Sequence, residues 1–231
     1  MAVPYSKTND DIEIQLQTNY ISHFLLTDRL IDLMTSTQSD EEAKTLVKGS
    51  GVVVNKFGAK INDPRIIFLS SIGHWFTPFH FSLDSQFNYH PDIFFTLLRY
   101  GMAKCAGIQF AKSLARRHPS VLSVAVHPGI VLNTNLFNHL TNLPLIGTIY
   151  WILFQIFDWI IGVSNEEGSY ATLKCALSDD LYTCRDNGKY FMTYGVESTP
   201  SWIANNEKYG DESWAWTIEL LRKKGHDIKS L

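Results

Sequence analysis

Between residues 10 and 34, "DDIEIQLQTNYISHFLLTDRLIDLM", apolar positions recur at the spacing of one helix face behind an acidic Asn-Asp-Asp start. That pattern predicts a capped amphipathic helix. Residues 35 to 64 are polar and irregular apart from the β-branched run "GVVV" and read as a surface excursion. "RIIFLSS" (65–71) is a short continuous apolar run ending in small polar residues, the pattern of a strand buried on both faces. A loop rich in Phe, His and Pro follows to about residue 92. Helical spacing then runs through Tyr100 to "ARRHP", with Arg116 and Arg117 in the last turn and Pro119 beyond it. "VLSVAVHPG" (121–129) predicts a second buried strand, so strand, helix and strand form a βαβ unit of a parallel sheet. "GKYFM" reads as one more strand, and "DESWAWTIELLRKKG" as a C-terminal helix closed by Gly225.

One stretch departs from these patterns. Residues 143–163, "LPLIGTIYWILFQIFDWIIGV", hold only Gln155 and Asp158 as strongly polar residues. The length could span a bilayer with tilt. Asp158, Pro144 and the paired aromatics favour a segment lying in a membrane or lipid-droplet surface, and a lid over a substrate pocket is the other reading. The two are compatible, because an apolar lid on a lipid surface could admit an apolar substrate directly.

Composition narrows the class. A chain of 231 residues suits one sizeable domain, and 45% apolar with 19% charged residues suits a folded one. The net charge of −3 gives no electrostatic case for a nucleic-acid partner. Three cysteines, Cys105, Cys175 and Cys184, cannot complete a disulfide framework and are expected to be buried structural thiols. With no Asn-x-Ser/Thr site, they point to a reducing, cytosol-facing location. No signal peptide or internal repeat stands out, and the histidines show no metal-ligand spacing.

Candidate chemistry starts from Tyr-x-x-x-Lys, which occurs twice, at Tyr100/Lys104 and Tyr170/Lys174. The spacing alone has little specificity, so the neighbours decide. Ligands of open parallel sheets sit beyond the carboxyl ends of the strands. Here those ends carry Ser70, Ser71, His127, Pro128 and Gly129, at the edge where the Tyr100 helix begins. No strand ending in serine precedes the second pair, whose surroundings are apolar. Tyr100 is therefore the candidate acid/base. Lys104, one turn on, would favour its phenolate, and a strand-end serine would hydrogen-bond the same substrate oxygen. The redox step itself needs a hydride carrier. His74 and His80, in the loop after the serine, read as solvated loop residues, with contact to substrate the other reading.

The pieces "QLQTNYISHFLLT", "RIIFLSSIGHW", "YGMAK" and "SVAVHPGIVLNTNL", in this order and spacing, resemble the short-chain dehydrogenase/reductase family. The branch is that of retinol dehydrogenases, WW-domain oxidoreductases and fungal lipid-droplet oxidoreductases. The resemblance runs from Asp10 to about Phe137 and implies an α/β fold, the C-terminal portion of a doubly wound, Rossmann-like parallel sheet. It implies a catalytic tetrad of Asn19, Ser71, Tyr100 and Lys104. Lys104 would also grip the nicotinamide ribose of NAD or NADP, and Asn19 would hold a proton-relay water. Pro128 and Gly129 would lie against the nicotinamide, with Thr134 the best match to the family's threonine. The substrate implied is a small apolar alcohol, aldehyde or ketone.

The family's Thr-Gly-x-x-x-Gly-x-Gly turn, which holds the cofactor pyrophosphate, does not occur in this chain. Residues 1–231 are thus expected to form a single partial domain, with Met1 matching an internal position and the first strands missing. The edge of the "RIIFLSS" strand would then be unpaired, favouring self-association and weak NAD(P)H binding. The competing reading is a non-catalytic remnant, or a membrane-associated binding protein without cofactor.

Overall fold

The computed structural model describes residues 3–36, 64–77, 92–131 and 146–229, with 45, 46, 53, 54, 83, 88, 90, 141, 142, 144 and 231. Helix α1 covers residues 14–36: α-helical at Ile14–Leu16, π-helical at Gln17–Ile21, then α-helical at Ser22–Ser36. Its cap lies later than the Asn-Asp-Asp run suggests. Asp11 sits at φ 57 and pairs with Lys7 at 2.8 Å, so the chain is still turning there. Glu13 takes the cap, its carboxylate accepting from the Leu16 N–H at 2.7 Å. In the excursion that follows, two-residue strands β1 (Thr45–Leu46) and β2 (Val53–Val54) pair antiparallel.

The centre of the molecule is the expected strand–helix–strand unit. Strand β3 (Arg65–Leu69) leads through a 3₁₀ turn, Ile72–Phe76, to helix α2 (Asp92–Arg117) and strand β4 (Leu122–Val126). The two strands pair in parallel from Arg65↔Leu122 to Leu69↔Val126. Helices α3 (Gly147–Ile161) and α4 (Asn165–Leu177) and the short α5 (Thr183–Asp186) lead to β5 (Tyr190–Met192), parallel to β4. Strand β6 (Val196–Ser198), which the periodicity does not reveal, adds antiparallel to give the order β3-β4-β5-β6. Helix α6 (Glu207–Lys223) follows, and Gly225 takes φ +85, the left-handed conformation expected of a helix-closing glycine.

Strand β4 is buried on both faces, as a central parallel strand requires. On one face Phe68, Ala125 and Tyr190 join a core with α1, α2 and α6. Its aromatic heart is Tyr20, Phe24, Phe110 and Trp214, with the Tyr20 hydroxyl 2.8 Å from that of Thr217. On the other face Val124, Val126 and Phe191 pack against Ala171 and Cys175 of α4. A mostly parallel sheet covered on both faces is the α/β, Rossmann-like arrangement.

Two expectations change. "RIIFLSS" reads as a fully buried strand, yet Leu69 is 48% exposed, because β3 has a strand neighbour on only one side among the described residues. Cys105 and Cys175 are buried, but Cys184 is exposed, since it lies on the four-residue surface helix α5. The charges ending α2 do more than complement its dipole: Arg116 and Arg117 both donate to Asp211 of α6, at 2.8 and 2.9 Å.

Candidate active site

The site forms where β3 and β4 end and α2 passes over them. After Leu69 the chain leaves the sheet, and Ser71 caps the 3₁₀ turn, its hydroxyl accepting from the Gly73 N–H at 3.1 Å. Close approach of this turn to α2 depends on glycine. A Cβ on Gly101 would stand 2.3 Å from the Gly73 carbonyl oxygen, so any side chain there would push the turn off the helix. That contact sets Ser71 beside Tyr100, with the serine hydroxyl near enough to act on the phenol, and both line one cavity. One turn along α2, the Lys104 ammonium lies 5.6 Å from the centre of the Tyr100 ring.

Electrostatics at the pair differ from the simplest reading. Burial raises the Tyr100 pKa above its ordinary value, and the nearby Ser71 hydroxyl offsets this only in part. The expected lowering by Lys104 does not prevail. Burial also weakens the lysine as a cation, bringing its pKa down to about 8. Its ammonium donates to the Leu69 carbonyl at 2.9 Å, at the end of β3.

Asn19 lies in the π-helical turn of α1. A π turn shifts the backbone ladder by one residue, and here the Asn19 side-chain amide donates to the Gln15 carbonyl at 3.0 Å. His23, one turn further, is close enough to Lys104 for the two charges to be felt. The N-terminal end of α1 is tied to α2 beside the tyrosine: Gln15 donates to the Thr96 carbonyl at 3.2 Å, and the fully buried Arg99 and Glu13 pair at 4.0 Å.

A cavity of about 390 Å³ opens here, lined by Ser70, Ser71, Tyr100, His127, Pro128, Gly129 and Val131. Gly129 takes φ +99, and a Cβ there would lie 2.7 Å from Val163, so only glycine suits this wall. The structure thus brings Ser71, Tyr100, Lys104, Pro128 and Gly129 together, with Asn19 on the adjoining helix. These residues fit the nicotinamide end of a dinucleotide, having a ring-sized cavity, a cation and a glycine wall. Thr134 and His80 lie outside the described residues. His74 was expected to be solvated. It is fully buried instead, its Nδ1 2.6 Å from the Ser71 carbonyl, because its turn folds inward against α2.

The second pair is engaged elsewhere. The Tyr170 hydroxyl donates to Glu166 at 2.9 Å, one turn away on the exposed side of α4. Lys174 donates to the Gly195 carbonyl at 2.7 Å, holding the turn between β5 and β6.

No protein-family model matches the chain. It is 30% identical to the chloroplastic short-chain dehydrogenase TIC 32 A of Brassica napus, over 96% of its own length and 61% of that relative's. It is likewise 30% identical to human retinol dehydrogenase 12, over 96% of its length and 58% of that enzyme's. The short-chain dehydrogenase/reductase drtF of Aspergillus calidoustus is 29% identical, over 97% of the chain and 66% of the relative. The chain therefore spans about three fifths of the length of these relatives. Among solved structures, a Mycobacterium paratuberculosis protein superposes with a TM-score of 0.57 over 99% of the chain and 65% of its own, at 22% identity, a likeness of fold. Over the stretch that it spans, the chain belongs to the short-chain dehydrogenase/reductase family.

Proposed function

We propose that the chain carries the acid/base site of an NAD(P)-dependent oxidoreductase acting on an apolar alcohol, aldehyde or ketone. The observation that supports this reading best is that Ser71 and Tyr100 line one cavity walled by Pro128 and Gly129, with Lys104 one turn along the helix from the tyrosine. A bound nicotinamide would supply or accept the hydride. The chain's own residues handle the proton. In reduction the Tyr100 hydroxyl gives its proton to the substrate oxygen, while the Ser71 hydroxyl donates a hydrogen bond to the same atom. In oxidation the proton returns to Tyr100. Burial keeps this phenol protonated at neutral pH, the state that carbonyl reduction needs. Lys104 would hold the ribose hydroxyls once its ammonium leaves the Leu69 carbonyl.

Helix α3 supports the lipid-surface proposal. Its large apolar residues are exposed all round, with the four successive residues Ile149, Tyr150, Trp151 and Ile152 57%, 37%, 54% and 48% exposed. A protein-facing helix would show one such stripe, whereas lipid can surround the whole circumference. Among the described residues no single helix is long and apolar enough to cross a membrane, although α3 and α4 together, bent by 60°, pass by length and composition. We place the protein on the cytosolic side of a membrane or lipid droplet, with self-association through β3 a further proposal. Lys at both Ile152 and Ile156 should release it from liposomes into the soluble fraction, and unchanged partitioning would leave only the pocket-lid role.

The test of the chemistry is turnover of NADPH or NADH with apolar aldehydes. Tyr100→Phe should lower kcat by about 10²–10⁴-fold with little change in fold, and Tyr170→Phe should not. Full activity in Tyr100→Phe would overturn the reading. No turnover by the folded wild type would favour the non-catalytic alternative.

A further inference from the structure

Behind the Ser71–Tyr100 pair, three strand ends and the 3₁₀ turn enclose a group of polar side chains used by nothing described so far. His74, Thr77, His127 and Tyr190 are each no more than 3% exposed. His74 Nε2, Thr77 Oγ1, His127 Nδ1 and the Tyr190 hydroxyl are buried with no hydrogen-bond partner among the described residues. They are neighbours. The His74 and Tyr190 rings stand edge to face, with centres 5.3 Å apart. Tyr190 is in register with Ala125, so its side chain and that of His127, two residues further along β4, point to the same face of the sheet. His127 and His74 are close enough for each charge to be felt by the other. The Thr77 N–H donates to the His74 carbonyl at 3.4 Å.

The donors and acceptors can be counted. His74 Nδ1 gives its proton to the Ser71 carbonyl, 2.6 Å away. Burial disfavours a second proton on this ring, so Nε2 is an acceptor. His127 is held neutral too, its pKa lowered to about 4 by burial and by His74, and in the tautomer that carries its proton on Nε2 the buried Nδ1 is a second acceptor. The Tyr190 hydroxyl has one proton and cannot serve both nitrogens. A single water serves three of the four buried groups: it donates to each imidazole and accepts from Tyr190, the three bonds typical of a buried water. Ala125, in register with Tyr190, brings only a methyl group to this face.

We propose that His74, His127 and Tyr190 enclose an internal water site behind the Ser71–Tyr100 pair, and that His74, held from behind by this water, is the positioning residue that fixes Ser71. His74 is the link. One of its nitrogens faces the water site and the other holds the carbonyl of the very residue whose hydroxyl meets Tyr100. His127 belongs to both compartments, since it also lines the cavity beside Tyr100. The water site stands on the buried, unpartnered atoms and the neutral state of the two imidazoles, whereas the use of Ser71 in catalysis rests on the function proposed above.

Two measurements on the 231-residue chain test this without requiring turnover, so failure of the oxidoreductase reading would not be mistaken for failure here. The first uses the wild type: a crystal structure that resolves ordered solvent, with imidazole nitrogen NMR in solution. One water bonded to His74 Nε2, His127 Nδ1 and the Tyr190 hydroxyl, with His74 protonated on Nδ1, is expected. A direct Tyr190–His74 hydrogen bond with no solvent, or a His74 proton on Nε2, would overturn it. The second follows the Tyr100 phenol titration by its ring-carbon NMR signal. His74→Leu should let Ser71 drift and raise the Tyr100 pKa further, and His74→Asn, which keeps a donor for the Ser71 carbonyl, should restore it. Equal titration in wild type and His74→Leu would remove the positioning role.

Discussion

Two turns of helix in this molecule carry the same residues at the same spacing, Tyr100/Lys104 on α2 and Tyr170/Lys174 on α4. Their surroundings make them different objects. Tyr100 is 7% exposed and shares its cavity with a serine at a strand end, and its lysine has a neutral carbonyl as hydrogen-bond partner. Tyr170 is 40% exposed and spends its proton on Glu166, which holds the phenol protonated, while Lys174 pins a tight turn. The first pair faces a cavity and the second holds structure together. A spacing motif thus acquires chemistry from what the fold brings opposite it.

Breaking the lysines should separate the pairs most widely. If the proposed reaction is catalysed, Lys104→Met should lower kcat by about 10²–10³-fold through loss of a fixed cation near the reacting oxygen. Lys174→Met should leave turnover intact but destabilise the protein by about 1 kcal/mol, because the Gly195 carbonyl loses its donor. Equal loss of activity in both would erase the contrast.

Packing gives the next effect. Gly101→Ala drives a Cβ to 2.3 Å from the Gly73 carbonyl oxygen and should cost about 1–3 kcal/mol in urea unfolding, with the Ser71–Tyr100 contact weakened. A pH-dependent signal comes from Lys104. Its native pKa of about 8 lies below the 10.5 of an ordinary lysine, so between these values the unfolded chain binds more protons. The cost of the buried ammonium is therefore full below about pH 8 and is relieved as pH rises to 10.5. Wild type should gain up to about 1.4 kcal/mol per pH unit relative to Lys104→Met across that window, measured by denaturant midpoints. Tyr170→Phe should be the smallest change, within about 0.5 kcal/mol, since its hydrogen bond is exposed.

Much of this contrast was legible in the sequence. The buried run of β4, the helical spacing around Tyr100 and the glycine after α6 each follow a local rule, and together they set Ser71, Tyr100 and Lys104 at one sheet edge. What escaped depends on tertiary context. The π turn around Asn19 is one residue of extra winding, which apolar spacing does not register. Strand β6 is three residues long and follows a turn with Tyr194 at φ 63. His74 reads as a loop residue because its burial depends on the Gly73–Gly101 contact, made across 28 residues of sequence. The direction of the Tyr100 shift was misjudged because helix geometry reveals a neighbouring cation but not the burial that outweighs it.

The central claim is that the cavity beside Tyr100 is the nicotinamide site and that α4 carries no part of it. The most direct measurement is an NMR titration of the isotope-labelled chain with NADPH and with NADH, carried to millimolar concentration so that weak binding registers. Progressive shifts at Ser71, Lys104, His127 and Gly129, with Tyr170 and Lys174 unmoved, are the expected result. Shifts centred on α4, or a spectrum unchanged at saturating nucleotide, would contradict it.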